Sequence, residues 1–313
     1  MGDGGAGIGG KVGERIAAVG RCFPGYFCAM RTADNRVRTL VGLYGTSLAG
    51  LYGTGEVKAI LRAVFDHALG WDAAQLELRR DDALSESELV KVYSPLQRLQ
   101  LGEPLQYVLG KVHFHGVELE VAPGVLIPRP ETEELVQLII EDALVPTRIV
   151  DIGTGSGCIA LALKRAFPNA SVMAIDSSEE ALAIARRSAE RNGLEVEWIH
   201  ADVLDPSFAL PPADLIVSNP PYVPRSEEAS LSPQVRDFEP HLALFVEDND
   251  PLLFYHVIAK QAIKVLPSGG RLFFEGHYIH ATAVEELLWS MDYREVSLVN
   301  DLSGNARFIS AER

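Results

Sequence analysis

The stretch Arg148-Ile-Val-Asp-Ile-Gly-Thr-Gly-Ser-Gly-Cys158 decides how this chain is read. It runs as a short strand, then a loop with glycine at alternate positions, then an apolar helical pattern to Ala166. Glycines so placed let a backbone turn tightly into a helix and let a ligand come close. The next apolar run, Ala170-Ser-Val-Met-Ala-Ile175, ends at Asp176. An acid at that point can accept hydrogen bonds from both hydroxyls of a ribose. Asp202 ends the third expected strand in the same way.

Two cofactors compete for such a loop. The dinucleotide fingerprint is G-x-G-x-x-G, whereas Gly153–Gly157 reads G-x-G-x-G, a spacing that does not suit a pyrophosphate. A helix N-terminus favours an anion, but Asp151, just before the loop, opposes one. An acid there suits a ligand carrying an ammonium and a sulfonium, such as S-adenosylmethionine. The plainer reading of Asp151 and Asp202 is that they cap a turn or a helix.

Outward from this loop, strands and helices alternate. Strands are expected at 147–152, 171–176, 195–200, 213–218, 270–275, 294–299 and 305–310, with helices at 131–142, 157–166, 178–192, 253–266 and 281–290. This alternation predicts an α/β fold, a doubly wound, mostly parallel seven-stranded sheet with right-handed crossovers. Ligands of such sheets bind beyond the carboxyl ends of the strands, near the switch in strand order.

The strand at 213–218 runs into Asn219-Pro-Pro-Tyr222. Two prolines cannot continue a ladder, because neither donates a backbone N–H. They stiffen the chain and leave its carbonyls free to accept. An Asn side chain beside a rigid carbonyl can hold a planar NH2 group, and a neighbouring Tyr ring can cover its flat face. Asn219, Pro220, Pro221 and Tyr222 therefore suit a pocket for such a group, and the family resemblance given below implies that Asn219, Pro220 and Tyr222 are catalytic and that all four form the substrate pocket. These four residues do not by themselves distinguish an amide from an aromatic amine.

Before residue 129 the chain changes character. Val57, Ile60, Leu61, Val64 and Leu69 recur at helical spacing, with Gly70 as a stop, and Ser85 followed by Glu88 looks like a capping box. A small helical domain is expected over 55–110, and the family resemblance given below implies that it docks the substrate. A hairpin linker is expected over 111–128, with turn residue Gly116. Residues 1–54 read as an extension, disordered or uninformative. Residues 1–50 hold 12 of the 27 glycines and only one serine, which weakens a transit-peptide reading, and Met30 is a candidate internal start.

Composition narrows the partners. The chain has 313 residues, 47% hydrophobic and 23% charged, with net charge −15. That charge disfavours duplex nucleic acid, whose phosphates call for clustered Lys and Arg. No apolar run approaches the roughly 18 residues of a membrane span. Three cysteines, Cys22, Cys28 and Cys158, suit a reducing compartment, and Cys158 reads as a packed residue. His113 and His115 lack a metal-ligand pattern, and no metal is expected. Arg129 either shapes the pocket or pairs with Glu131 or Glu133.

The loop Asp151–Gly157, Asp176 and Asn219–Tyr222, in this order and spacing, resemble the class I S-adenosylmethionine-dependent methyltransferases of the amide- or amino-methylating kind. Gly102-Glu-Pro-Leu-Gln-Tyr107, Leu126-Ile-Pro-Arg-Pro-Glu-Thr-Glu-Glu-Leu135 and Phe238-Glu-Pro-His-Leu-Ala-Leu244 resemble the release factor glutamine methyltransferases, over roughly residues 55–313. The resemblance implies transfer of a methyl group to a glutamine amide nitrogen on a glycine-rich (Gly-Gly-Gln) loop of a peptide chain release factor. It implies S-adenosylmethionine held by Gly153, Thr154, Gly155, Ser156, Gly157, Asp176, Asp202, Val203 and Asn219. Tyr222 would pack on the glutamine. A cytoplasmic monomer without direct contact to nucleic acid is expected. The alternatives are glutamine methylation of a ribosomal protein, adenine amino-methylation of nucleic acid, and a catalytically silent binding module. Two segments depart from the family pattern: Phe245-Val-Glu-Asp-Asn-Asp-Pro251, where a glycine-rich turn is usual, and Phe274-Glu-Gly-His277, where Glu-Ile-Gly is usual.

Overall fold

The structure is a computed structural model that describes residues 34–313. These fall into two compact units, divided between Leu109 and Gly110. The expectations for Met30, Cys22, Cys28 and the first part of the extension lie outside the described residues.

The first unit is helical: α1 (Val37–Leu48), α2 (Thr54–Leu69), α3 (Ala73–Leu78), α4 (Glu86–Gln100) and α5 (Leu105–Leu109). Its core brings Leu40, Tyr44 and Leu48 of α1 together with Ile60 and Val64 of α2 and Val92, Leu96 and Leu99 of α4. The buried Tyr44 hydroxyl donates to the Val92 carbonyl at 2.6 Å. Gly70 ends α2 in the left-handed conformation, φ +69°. Ser85 and Glu88 form the reciprocal box that opens α4. Helix α1 corrects the expected boundary: its apolar positions recur every three or four residues inside the stretch assigned to an extension. Gly42 and Gly45 sit on the exposed side of α1, and they and the glycines before it masked that period.

The second unit opens with the hairpin β1 (Lys111–Phe114) and β2 (Val117–Glu120), paired antiparallel about Gly116. This is not a free linker. Phe114, Val117 and Leu119 are buried in the core of the unit. The backbone is tied to α8 (Glu179–Asn192), with Glu120 N donating to Ser188 Oγ at 2.8 Å and Asn192 Nδ2 donating to the Glu118 carbonyl at 2.8 Å.

The remaining chain gives α6 (Pro130–Glu141), β3 (Arg148–Ile152), α7 (Cys158–Ala166), β4 (Ser171–Asp176), α8, β5 (Glu197–His200) and β6 (Leu215–Ser218). After these come β7 (Val223–Pro224), α9 (Pro233–Phe238), α10 (His241–Leu244), β8 (Phe245–Val246), α11 (Leu253–Val265), β9 (Arg271–Glu275), α12 (Ala281–Ser290), β10 (Arg294–Asn300) and β11 (Ala306–Glu312). Seven strands make one sheet in the order β10-β11-β9-β6-β3-β4-β5. Only β11 runs against the others. The doubly wound, mostly parallel sheet is therefore present. Apolar side chains from both sheet faces form two clusters, one under α11 and α12, the other under α6, α7 and α8.

The chain leaves β3 toward β4 and β5, then returns to β6 on the other side of β3. The switch point thus lies at the carboxyl ends of β3 and β6. Register puts Ile152 beside Ser218, and Ser218 Oγ donates to the Ile152 carbonyl at 2.7 Å. The glycine loop and Asn219 consequently begin side by side.

Candidate functional site

A cavity of about 210 Å³ opens at this switch point. Gly153, Thr154, Gly155, Ser156, Asp176, Asp202, Val203, Asn219, Pro220 and Pro221 all line it. Residues separated by up to 68 positions are brought to one wall because each follows a parallel strand.

The loop is built by its backbone. Gly153 N and Thr154 N donate to the Ile175 carbonyl at 2.8 and 3.0 Å, and Gly155 N donates to Asp176 Oδ2 at 2.8 Å. Gly153 (φ +70°) and Gly155 (φ +56°) are left-handed, and a Cβ at either would meet no atom of the described residues within 4 Å. They are glycine for their conformation, and both leave open space on the cavity side. Gly157 (φ +80°) differs. A Cβ there would stand 3.0 Å from Ala185 Cβ and 3.2 Å from the Trp198 ring. It does not line the cavity, and it packs α7 closely against α8 and β5.

Asp151 lies beneath the loop, fully buried, and not on the cavity wall. Its Oδ2 accepts from Thr154 Oγ1 at 2.6 Å and from Ala160 N at 3.1 Å. Burial pushes its carboxyl up to about 7, against the pull of those two bonds. Burial also raises Asp176, opposed by the backbone N–H groups of Gly155 and Ser178. Asp202 is exposed and accepts from Leu204 N at 2.8 Å, while Val203 is buried beside it. The Cys158 thiol lines the cavity, and burial pushes it up to about 12, so it stays protonated and is no nucleophile.

Two side chains at the site, Asp151 and Asn219, each keep a buried oxygen without a hydrogen-bond partner among the described residues, and of the two only Asn219 lines the cavity. Its Nδ2 donates to Thr132 Oγ1 at 3.2 Å. Its Oδ1 is buried without a hydrogen-bond partner among the described residues. An unmet buried acceptor costs roughly 1–3 kcal/mol, so a cavity-lining one marks a place for a donor.

Tyr222 is not brought to the cavity wall. Its hydroxyl donates to Glu275 Oε1 at 3.4 Å, and its ring lies 5.9 Å from that of His277. Burial raises its phenol well above the ordinary range. In this arrangement it stands behind the cavity wall, against Glu275 and His277.

Arg129 pairs with neither Glu131 nor Glu133. Its Nη2 donates to Glu239 Oε1 at 2.7 Å, and Glu239 Oε2 accepts from Ile127 N at 3.1 Å. Glu239 is buried and joins the Leu126–Leu135 segment to the start of α10, where Pro240, Leu242 and Ala243 line the cavity. The unusual segment after Leu244 is well formed: Phe245 and Val246 pair in parallel with Val223 and Pro224. Glu247 accepts from Arg225 Nε at 2.8 Å.

Sequence reasoning did not single out Thr132, Glu239 or Glu275. Thr132 falls at the start of the helix expected at 131–142, where nothing in the motif marks its hydroxyl. Glu275 ends the apolar strand Arg271-Leu-Phe-Phe-Glu275, and a lone acid closing a buried strand was the available signal.

The wall fits an adenosyl-methionine ligand in kind: open glycines, an acid at the end of β4, an apolar flank at Val203 and Ile258, and an unmet acceptor at Asn219. Comparison with known proteins agrees. A methyltransferase small domain model matches residues 131–234, and a PrmC N-terminal domain model matches residues 48–110. The release factor glutamine methyltransferase of Bacteroides thetaiotaomicron is 42% identical over 85% of this chain and 96% of its own length. That of Flavobacterium psychrophilum is 39% identical over 84% and 94%. Among solved structures, the release-factor-specific protein-(glutamine-N5) methyltransferase of Alicyclobacillus acidocaldarius is 31% identical over 62% of this chain and 98% of that one, with a TM-score of 0.37. At 42% identity across nearly the whole length of such a relative, the chain belongs to the release factor glutamine methyltransferase family.

Proposed function

We propose that this protein methylates the side-chain amide nitrogen of a glutamine in a peptide chain release factor, and that Asn219 is the residue that holds that amide. The observation carrying this reading is that Asn219 lines the cavity and its Oδ1 is buried without a hydrogen-bond partner among the described residues. S-adenosylmethionine is the methyl donor and supplies an electrophilic sulfonium methyl.

An amide nitrogen is a poor nucleophile because its lone pair is delocalised into the carbonyl. Alignment must therefore supply much of the rate, and at best is worth roughly 7–11 kcal/mol. Asn219 Oδ1 and the Pro220 carbonyl accept the two amide hydrogens and aim the nitrogen across the cavity. Pro220, buried, and Pro221 keep that carbonyl from moving. No strong base is needed before transfer, since the proton becomes acidic once nitrogen is alkylated. Gly153, Thr154, Gly155, Ser156 and Asp176 hold the donor from the β3 and β4 side, and Asp202 with Val203 flank its base.

The net charge of −15 supports a protein substrate over a nucleic acid. The small number of cysteines suits the cytoplasm. Among the described residues no helix is long and apolar enough to cross a membrane. The helical unit is read as the surface that docks the release factor.

The test is label transfer. Incubated with methyl-labelled S-adenosylmethionine, the protein should label a glutamine of purified release factor. Label found instead on ribosomal protein or DNA would overturn the assignment.

A further inference from the structure

Behind Asn219 lies a buried chain of hydrogen bonds that reaches three separate elements. Thr132, in the first turn of α6, has its hydroxyl 2.7 Å from Glu275 Oε2 at the end of β9. The same oxygen is 3.2 Å from Asn219 Nδ2, which follows β6. Thr132 and Glu275 are both at most 2% exposed.

A hydroxyl has one proton and two lone pairs. A carboxylate only accepts, so it takes the Thr132 proton, and Thr132 can then only accept from Asn219. Of the two carboxamide atoms of Asn219, only Nδ2 donates. The amide is thereby oriented with nitrogen to Thr132 and Oδ1 left as the unmet acceptor.

We propose that Thr132 and Glu275 are positioning residues for the methyl transfer: ionised Glu275, acting through the Thr132 hydroxyl, fixes the Asn219 carboxamide in its accepting orientation. This rests on the reading of Asn219 as the group that holds the substrate amide. If Glu275 gains a proton, it can donate to Thr132. The Thr132 proton is then free to turn toward Asn219, and the amide can flip to present its NH2, a donor facing a donor.

Burial pushes Glu275 up to about 7. The groups around it come from every neighbouring element. Thr132 and Tyr222 donate to its carboxylate, Tyr255 donates to its backbone carbonyl at 3.1 Å, and Arg307 favours the charge. Glu131 and the Cys158 thiol lie close enough to couple to it, with Glu131 opposing the charge. The switch therefore falls within an accessible pH range, active above it and inactive below.

The experiment is steady-state methylation of intact release factor by full-length protein across pH 6–9, with S-adenosylmethionine affinity measured separately. Thr132→Val should lower kcat about 30-fold, the scale of one lost buried hydrogen-bonded anchor. KM for release factor and cofactor affinity should stay within about threefold, a change too small to reflect a lost binding contact. Thr132→Ser should restore kcat. Wild type should lose kcat on the acid side with an apparent pKa near 7, and Glu275→Gln should lack that limb. Equal impairment by Val and Ser, wild-type turnover of Thr132→Val, or an acid limb unchanged in Glu275→Gln would each overturn the relay. Asn219→Ala separates the two readings. If it turns over normally, the grip itself is wrong. If it is dead while Thr132→Val is normal, the grip stands and the relay fails.

Discussion

The backbone N–H of Gly155 donates to the Asp176 carboxylate at 2.8 Å, joining the glycine loop to the end of the neighbouring strand. The acid thus has two tasks. One oxygen pins the loop and the other accepts from Ser178 N at 2.8 Å, while the residue lines the cavity.

Asp176→Ala should weaken S-adenosylmethionine binding by about tenfold or more, the scale expected for hydrogen bonds to a charged acceptor. Asp176→Asn keeps acceptor capacity at one atom and should fall between. Isothermal titration calorimetry decides it. Wild-type affinity in Asp176→Ala would remove this residue from the cofactor site.

Gly157→Ala tests the packing reading of the third loop glycine. A left-handed φ of +80° together with a Cβ 3.0 Å from Ala185 Cβ should cost roughly 1–3 kcal/mol. In a chain this long that lowers Tm by a few degrees, about 2–4 °C per kcal/mol. Cofactor affinity should change less than in Asp176→Ala. The opposite ranking would return Gly157 to the cavity wall.

Much of this arrangement was legible in the sequence, for reasons visible at particular residues. The glycine loop, Asp176 and Asn219 each follow an apolar run that reads as a strand. A parallel sheet then carries the ends of those runs to one edge, so contiguous motifs suffice to place them. Helix α1 was not legible because glycines diluted a clear period of Val37, Leu40, Tyr44 and Leu48. The contact of the Tyr222 hydroxyl with Glu275 was not legible, because adjacency in sequence says nothing about which way a ring turns after two prolines. Thr132, Glu239 and Glu275 were missed because their roles are pairwise and long-range, at separations of 143 for Thr132–Glu275 and 110 for Arg129–Glu239. No single motif contains both partners.

Asp214 offers a stability test in acid. Burial pushes its carboxyl up, but the Arg148 guanidinium and the Thr147 hydroxyl and N–H outweigh this and hold it at about 2. A carboxyl lower in the folded than in the unfolded chain stabilises above its unfolded pKa and loses that contribution as pH falls through the folded one. From its ordinary value of 3.8 down to about 2, the contribution is about 2 kcal/mol at neutral pH. Asp214→Asn should therefore lower urea stability at pH 7, and the difference from wild type should shrink steadily between pH 4 and pH 2. A difference independent of pH would show that the bonds to Thr147 matter and the charge does not.

The Arg129–Glu239 pair is buried unevenly: the Glu239 side chain is 1% exposed and that of Arg129 30%. Removing the cation leaves a carboxylate with only the Ile127 N–H as partner. Breaking a buried pair typically costs 3–5 kcal/mol. Arg129 is near enough to the surface for water to replace part of its contact, so Arg129→Met should cost about 2–3 kcal/mol. Adding Glu239→Gln removes the stranded charge and keeps an acceptor for Ile127. The double variant should therefore be more stable than Arg129→Met alone, with a coupling energy of at least about 1 kcal/mol in a double-mutant cycle. Because Glu239 joins the Leu126–Leu135 segment to the Pro240–Ala243 part of the cavity wall, the single variant should also lose cofactor affinity. Simple additivity of the two substitutions in urea unfolding would show that the pair holds nothing together.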